Sequence, residues 1–418
     1  MIDKVVRPLR ILQLTHKFPF PYHDGGAIAV RSLAEGLQRT GVSLDLFSLN
    51  TDKHRASQET IQKLRNSAVY RSVLSSEIKS TESISGALLH LISKRGSYYI
   101  DRFYNEKVAR ELLSFLKIQK YDAIILESLY LAPYIEVVKS YDPSISMILR
   151  AHNIESELRI RQREEESNII KKVFLNGEIR KLRKYELAVW DRVDLIATVS
   201  EREAKEIRRV NSKCSVISIP IGMVAGSRKK KSAASTVFKI GFIGSLDWEP
   251  NLNGLRWFVD EVWSQMSMLK NVSCSIAGAH SEGDIDFIKD ENIEFAGGVP
   301  SSKEYLESLD VLIVPLFSGS GTRVKILEAM SLGVPVLSTT LGAEGVKVNH
   351  SVDILIGDTA EEWIDILSKN FKNPIDISEI GNNAMDLIRA DFNIEKIGEK
   401  LSLEIQNVIE AKMRLKNQ

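Results

Sequence analysis

The chain is poor in the features that would assign it quickly. It has two cysteines, Cys214 and Cys274, too few for a disulfide framework and with no spacing that suits a metal. Both fall in runs that read as strands, so the expectation is reduced thiols packed in the interior, in a cytosol. Net charge is +1, from 56 Lys and Arg against 55 Asp and Glu, so no global field argues for a nucleic-acid partner. No apolar run reaches the roughly 20 residues of a membrane span. The first residues hold no long apolar run of the kind that marks a leader. A cytoplasmic protein is expected. Nor does Gly-x-Gly-x-x-Gly follow the first strand-like run, which argues against a dehydrogenase.

What is there is ordinary for a soluble globular protein: 44% apolar and 27% charged residues. A length of 418 residues exceeds what one core usually organises, so two domains are expected. Strand-like and helix-like runs alternate from end to end. Residues 9–15 read as a first strand, 17–26 as a loop ending in Gly25-Gly26, 27–37 as an amphipathic helix and 42–49 as a second strand. Residues 51–120 give no clear period. Residues 123–127, 146–152 and 193–200 read as buried strands, and 155–192 as one long charged helix or a pair. Ser200 and Glu203 form the start signal of a further helix.

Composition changes at 222–236, a small, polar and basic stretch that reads as an exposed linker. Strand-like runs then restart at 238–244, 272–278, 293–298, 311–316 and 335–340. Such alternation implies parallel sheets with helices on both faces. The expectation is an α/β protein of two doubly wound Rossmann-like domains facing across a cleft. The first is 1–221, the linker 222–236 and the second 237–393. A last helix from about 394 to 418 would cross back to the first domain.

The most informative stretch runs from Gly319 through Ser320, Gly321, Thr322, Arg323 and Lys325 to Glu328. It lies between an apolar strand and a helix. Two glycines let backbone N–H groups approach oxygens, and a helix start adds positive potential. Arg323 and Lys325 can neutralise a diphosphate. Glu328 can accept hydroxyl hydrogen bonds from a ribose. Asp284-Ile285-Asp286 reads as acidic residues at a helix start rather than as metal ligands. No metal and no cofactor is expected.

Several ordered motifs resemble glycosyltransferase family 4, the glycosyl transferases group 1. They are the run Gly241 to Leu255, Ala277-Gly278, Phe295 to Val299, Pro315 to Met330 and Gly342 to Gly345. The first half matches more loosely, through the first strand, the Gly25-Gly26 loop, His152 at a strand end and residues 194–200. The resemblance implies a GT-B fold, a nucleotide-diphosphate-sugar donor, and transfer of a hexosyl unit with retention to a glycan or lipid-linked acceptor. Polysaccharide or glycoconjugate synthesis is the setting it implies.

It also implies roles for single residues. Glu328 matches the second Glu of the family's paired-glutamate motif, which holds the ribose, while the first falls on Ser320. The turn containing Gly321 and Thr322 is the candidate replacement for that contact. The family's Arg and Lys after the first donor-domain strand, at Gly244 and beyond, fall on Ser245 and about Asn251 to Asn253. Arg323 and Lys325 are therefore the candidates for the displaced charge, with Arg323 expected to dominate. His152 matches a strand-end His near the transferred sugar, Gly26 a loop glycine near phosphate or sugar, and Glu344 a loop bordering the nucleotide. His16 and His23 read equally as acceptor contacts or as polar loop residues.

The acceptor side is less specific. Basic residues crowd 159–184, among them Arg159, Lys171, Lys172 and Arg180. They read as a solvated helix face, or as a face of the first domain for anionic lipid at the inner membrane surface or for a lipid-diphosphate acceptor. Tyr98, Tyr99, Phe103 and Tyr104 border that surface or belong to the core. Two other functions fit the architecture. One is a nucleotide-sugar epimerase, which needs an acidic acid/base cluster. The other is a non-catalytic nucleotide-sugar-binding protein.

Overall fold

The computed structural model describes the chain except residues 1–6, 21–23, 53–54, 81–95, 212, 228–236, 280–286, 289, 320 and 417–418, and the side chains at 165 and 374–376. It divides into two compact units. The first is Met1–Gly222 with Ile394–Gln418, and the second is Met223–Asn393.

In the first unit the strands are β1 (Arg10–Thr15), β2 (Ser43–Thr51), β3 (Ser72–Ile78), β4 (Ala123–Leu126), β5 (Ser146–Ala151), β6 (Leu195–Thr198) and β7 (Val216–Ser218). They form one parallel sheet in the order β3-β2-β1-β4-β5-β6-β7. β4, β5 and β6 are buried along their whole length. Continuous apolar runs of this kind belong to strands covered on both faces. β3 alternates buried with half-exposed residues because it is an edge strand. That mixed pattern explains why residues 51–120 carry no clear period.

Several local readings shift. Asp24 caps the helix Gly25–Arg39 by accepting from Ala27 N at 2.9 Å, so Gly25 and Gly26 open a helix rather than end a loop. The charged stretch 155–192 is a pair, Glu155–Glu165 and Ile169–Trp190, separated where Asn168 caps the second helix. Tyr98, Tyr99 and Phe103 are buried, whereas Tyr104 is exposed. Cys274 is buried in β9 (Val272–Ala277), but Cys214 is half-exposed in the bend before β7.

The second unit has β8 (Phe238–Ile243), β9, β10 (Ile293–Gly297), β11 (Val311–Val314), β12 (Val336–Ser338) and β13 (Leu355–Ile356). All pairings are parallel, in the order β10-β9-β8-β11-β12-β13. β13 adds a sixth strand to the five expected, and two residues are too few to carry a period. Residues 222–226 are not an exposed linker throughout. Gly222 is buried and its carbonyl accepts from Ser32 Oγ at 2.5 Å. Met223 N donates to Phe392 O at 2.7 Å, and Gly226 N to Ser331 O at 2.8 Å. Small residues here serve close packing: a Cβ on Gly222 would stand 2.9 Å from Ile394 Cα. The rest of the basic stretch, 228–236, lies outside the described residues.

The final helix, Ile394–Lys416, packs on Gly25–Arg39 in the first unit. Its Ile397, Leu401 and Ile405 recur every four residues and join Ile11, Leu33 and Leu37 in one cluster. Burying such a side chain contributes roughly 1.5–3 kcal/mol. Contact is close because glycines meet: a Cβ on Gly398 would lie 2.3 Å from Gly36 O. We expect Gly398→Val to force the two helices apart and cost about 1–3 kcal/mol. Urea unfolding measures this. The exposed position Leu403 is the control, where Leu403→Val should change stability by no more than about 0.5 kcal/mol.

Candidate active site

Ligands of doubly wound sheets sit beyond the carboxyl ends of strands, where strand order reverses. In the second unit the reversal falls between β8 and β11. Gly244 and Ser245 follow β8, and residues 315–323 follow β11. Gly319 and Gly321 have φ of 102° and 83°, left-handed values that favour glycine. The helix Val324–Ser331 starts directly after this turn, with Arg323 at its N-cap.

The two cations take different neighbours. Arg323 is buried, its guanidinium 5.4 Å from the centre of the Trp248 ring. Lys325 reaches back to the β8 loop, where its Nζ donates to Asn251 Oδ1 at 3.2 Å. Asn251 Nδ2 donates in turn to Ser245 O at 2.6 Å. A Cβ on Gly244 would stand 2.7 Å from Lys325 Nζ, so this glycine makes room for the ammonium. Nζ also lies 4.3 Å from the centre of the Phe242 ring. Lys325 keeps partial exposure, yet the protein packed around its ammonium displaces most of its hydration. That desolvation, with Arg323 nearby, pushes its pKa down to about 7.

Glu328 stands one turn further along the helix. Its Oε1 accepts from Ser302 Oγ at 3.0 Å. Burial raises its pKa, while Ser302 and Lys325 act in the opposite sense. Thr322 Oγ1 is buried with no hydrogen-bond partner among the described residues. A Cβ on Gly345 would meet that oxygen at 3.0 Å, which sets the turn carrying Glu344 beside Thr322. Gly244, Ser245, Thr322, Arg323, Lys325 and Glu328 thus cluster at one end of this sheet. Ser320 and Asp284-Ile285-Asp286 lie outside the described residues. Among the described residues, no three His, Cys, Asp or Glu side chains are grouped to hold a metal ion.

In the first unit strand order reverses between β1 and β4. Glu127 follows β4 and is fully buried, and His152 follows β5. His152 Nε2 lies 3.1 Å from Glu127 Oε2. Gly26 sits in the first helical turn, beside the ion pair that Lys17 makes with Asp24 at 2.6 Å. His16 meets the rings of Phe103 and Tyr130 edge-on. His23 lies outside the described residues. Two side chains at these sites escaped the sequence reading, Ser302 and Glu127, while Asn251 entered it only as the place of a missing family lysine. For Glu127 a signal existed, a carboxylate closing a fully apolar strand. For Ser302 there was none.

Residues 237–373 match the family model described as "Glycosyl transferases group 1". A Klebsiella pneumoniae protein described as an uncharacterized 44.6 kDa protein in the cps region is 23% identical over 401 residues, covering 93% of this chain and 97% of that one. Among solved structures, sucrose-phosphate synthase from Thermosynechococcus elongatus is similar with a TM-score of 0.70 at 15% identity, covering 96% of this chain and 100% of that one. TarM of S. aureus, in a complex with Fondaparinux, alpha-GlcNAc-glycerol and UDP, is similar with a TM-score of 0.68 at 12% identity, covering 96% and 99%. The chain has the GT-B fold of these structures, and residues 237–373 match the glycosyl transferases group 1 domain.

The depressed Lys325 gives a measurable consequence. Unfolded, this lysine stays protonated up to about 10.5; folded, only up to about 7. Between those values unfolding takes up a proton, so the group's contribution to stability rises with pH across the window and is most unfavourable below about 7. Competitive acetylation at a series of pH values, read by mass spectrometry, should give Lys325 a titration midpoint near 7 while surface lysines titrate near about 10. A midpoint near that of the surface lysines would contradict the burial of its ammonium.

Proposed function

We propose that the protein transfers a hexosyl unit from a nucleotide-diphosphate-sugar to a glycan or lipid-linked acceptor, with retention and without a metal, in polysaccharide or glycoconjugate synthesis. The placement of Lys325 carries this reading. The lysine comes from the helix after β11, yet its ammonium stands in the Gly244–Ser245 loop after β8. There it supplies a cation where the neighbouring backbone offers only amides and carbonyls. The UDP in the TarM complex and the setting of the Klebsiella relative support the donor class and the pathway class.

In this mechanism the bond between the anomeric carbon and the diphosphate oxygen breaks as an acceptor oxygen bonds to the same face of that carbon. Retention brings the acceptor in from the leaving-group side, so the departing diphosphate oxygen is the nearest base for the acceptor's proton. Arg323 and Lys325 stabilise the charge that develops on the diphosphate. Gly244, Ser245, Gly321 and Thr322 offer backbone and hydroxyl groups to the donor, and Ser320 is a further candidate by its place in the sequence. Glu328 accepts from the ribose hydroxyls and Glu344 borders the nucleotide. His152 addresses the transferred sugar, and Gly26 lies by phosphate or sugar at a helix start. Binding a diphosphate recharges Lys325, so nucleotide affinity should fall as pH rises above about 7.

A transfer assay tests this, with labelled nucleotide-diphosphate-hexoses, lipid-linked and glycan acceptors, and purified protein. Product should form in EDTA at the rate seen without it. Glu328→Ala should lower kcat/KM by about tenfold to a hundredfold, the cost of losing charge-assisted hydrogen bonds. Wild-type kinetics in a folded Glu328→Ala protein would remove the ribose assignment. EDTA inhibition reversed by Mg²⁺ or Mn²⁺ would remove metal independence.

A cytoplasmic location with peripheral contact at the inner membrane face belongs to the same proposal. Ile169, Ile170 and Val173 are 77%, 80% and 63% exposed at the start of the helix Ile169–Trp190, and Lys171 and Lys172 lie between them. Apolar side chains flanked by lysines suit an anionic bilayer surface. No helix among the described residues is long and apolar enough to cross a membrane. The chain should therefore sediment with phosphatidylglycerol vesicles at low salt, and an Ile169→Glu/Ile170→Glu protein should not. Equal sedimentation of the two would discard this face.

A further inference from the structure

We propose that Glu127 is a positioning residue for His152, holding the imidazole in one tautomer with Nε2 protonated and Nδ1 left as its acceptor. The inference rests on the transferase reading of His152 and adds to it a residue that reading does not include.

Glu127 and Arg150 stand beside one another at the ends of β4 and β5. The ladder pairs Leu126 with Leu149, and the next step sets Glu127 against Arg150. His152 lies two residues beyond Arg150. Glu127 and Arg150 are 0% and 1% exposed, and Arg150 Nε is 3.6 Å from Glu127 Oε2. None of the three guanidinium nitrogens has a hydrogen-bond partner among the described residues. Burial lowers the Arg150 pKa and Glu127 opposes that shift. A buried guanidinium this poorly bonded is costly, and its charge faces the Glu127 carboxylate.

Both carboxylate oxygens of Glu127 face donor groups, and a carboxylate oxygen so placed accepts. Glu127 Oε1 accepts from Gln13 Nε2 at 2.5 Å, and Tyr70 fixes Gln13 by donating to its Oε1 at 2.7 Å. The other oxygen, Oε2, faces His152 Nε2 at 3.1 Å. The proton of the neutral ring therefore sits on Nε2, donated to Oε2. Nδ1 makes no hydrogen bond among the described residues and is the ring's acceptor, suited to a sugar hydroxyl.

The test combines spectroscopy with kinetics. In ligand-free protein labelled with ¹⁵N-histidine, the His152 ring should show Nε2 protonated and Nδ1 bare, with His152→Gln used for assignment. The opposite tautomer or an even mixture would overturn the proposal whether or not the chain transfers sugar. Glu127→Gln can donate as well as accept, so both tautomers should appear. Its kcat should fall by about tenfold to a hundredfold, the size of loss seen when the carboxylate partner of a metal-bound imidazole is removed, with donor KM little changed. Glu127→Gln/Arg150→Met removes both charges and guards against misfolding from an unpaired arginine. If Glu127 serves only to balance Arg150, this double variant recovers wild-type kcat and the proposal fails; if it positions His152, kcat stays low. Unchanged activity in His152→Gln would remove the catalytic reading of His152 while leaving the tautomer result standing.

Discussion

A parallel sheet covered on both faces can offer chemistry only at its ends, and both units of this protein are built under that constraint. The strand interiors are mostly apolar, and their backbone amides and carbonyls pair along the ladder between neighbouring strands. Polar function is left to the residues that follow each strand. Where the strand order reverses, neighbouring strands feed loops that diverge, and space opens between them. The second unit uses that space for cations set among glycines. The first uses it for a buried carboxylate and an imidazole.

Charge in these places is held at a cost. Lys325 is partly stripped of water and pressed near Arg323, so in the ligand-free protein it is close to giving up its proton. An arriving diphosphate would replace what the protein has removed. The two cations stand by different rings, Arg323 by Trp248 and Lys325 by Phe242, and Asn251 Oδ1 further holds the Lys325 ammonium. Electrostatic stabilisation by fixed groups needs this arrangement, because little reorganisation remains when charge develops.

Much of this was legible in the residues and some was not. The parallel α/β architecture followed from alternating apolar runs, and the clustering at the β8 and β11 ends followed from glycines, cations and a carboxylate at turn spacing. Gly25-Gly26 was misplaced in a loop because glycine signals turns, whereas Asp24 supplies a cap that starts a helix on top of it. Residues 222–226 looked like linker because small residues serve flexible segments and tight contacts alike. β13 and β7 are too short to show a period. The pairing of Ser302 with Glu328 and of Glu127 with His152 depends on which strands become neighbours, and no local pattern encodes that.

The chain leaves the first unit at Gly222 and rejoins it at Ile394, so the second unit is an insert within the first. Met223 and Asn393, at the two ends of that insert, form a parallel bridge. The order of synthesis follows from this. All of the insert has been made before the helix Ile394–Lys416 exists, whereas Leu33 and Leu37 wait for that helix to cover them. Domains ordinarily complete from the N-terminus onward as the ribosome proceeds. Here the earlier-made unit is the later to be completed, and its first helix carries a bare apolar stripe through the whole of the insert's translation.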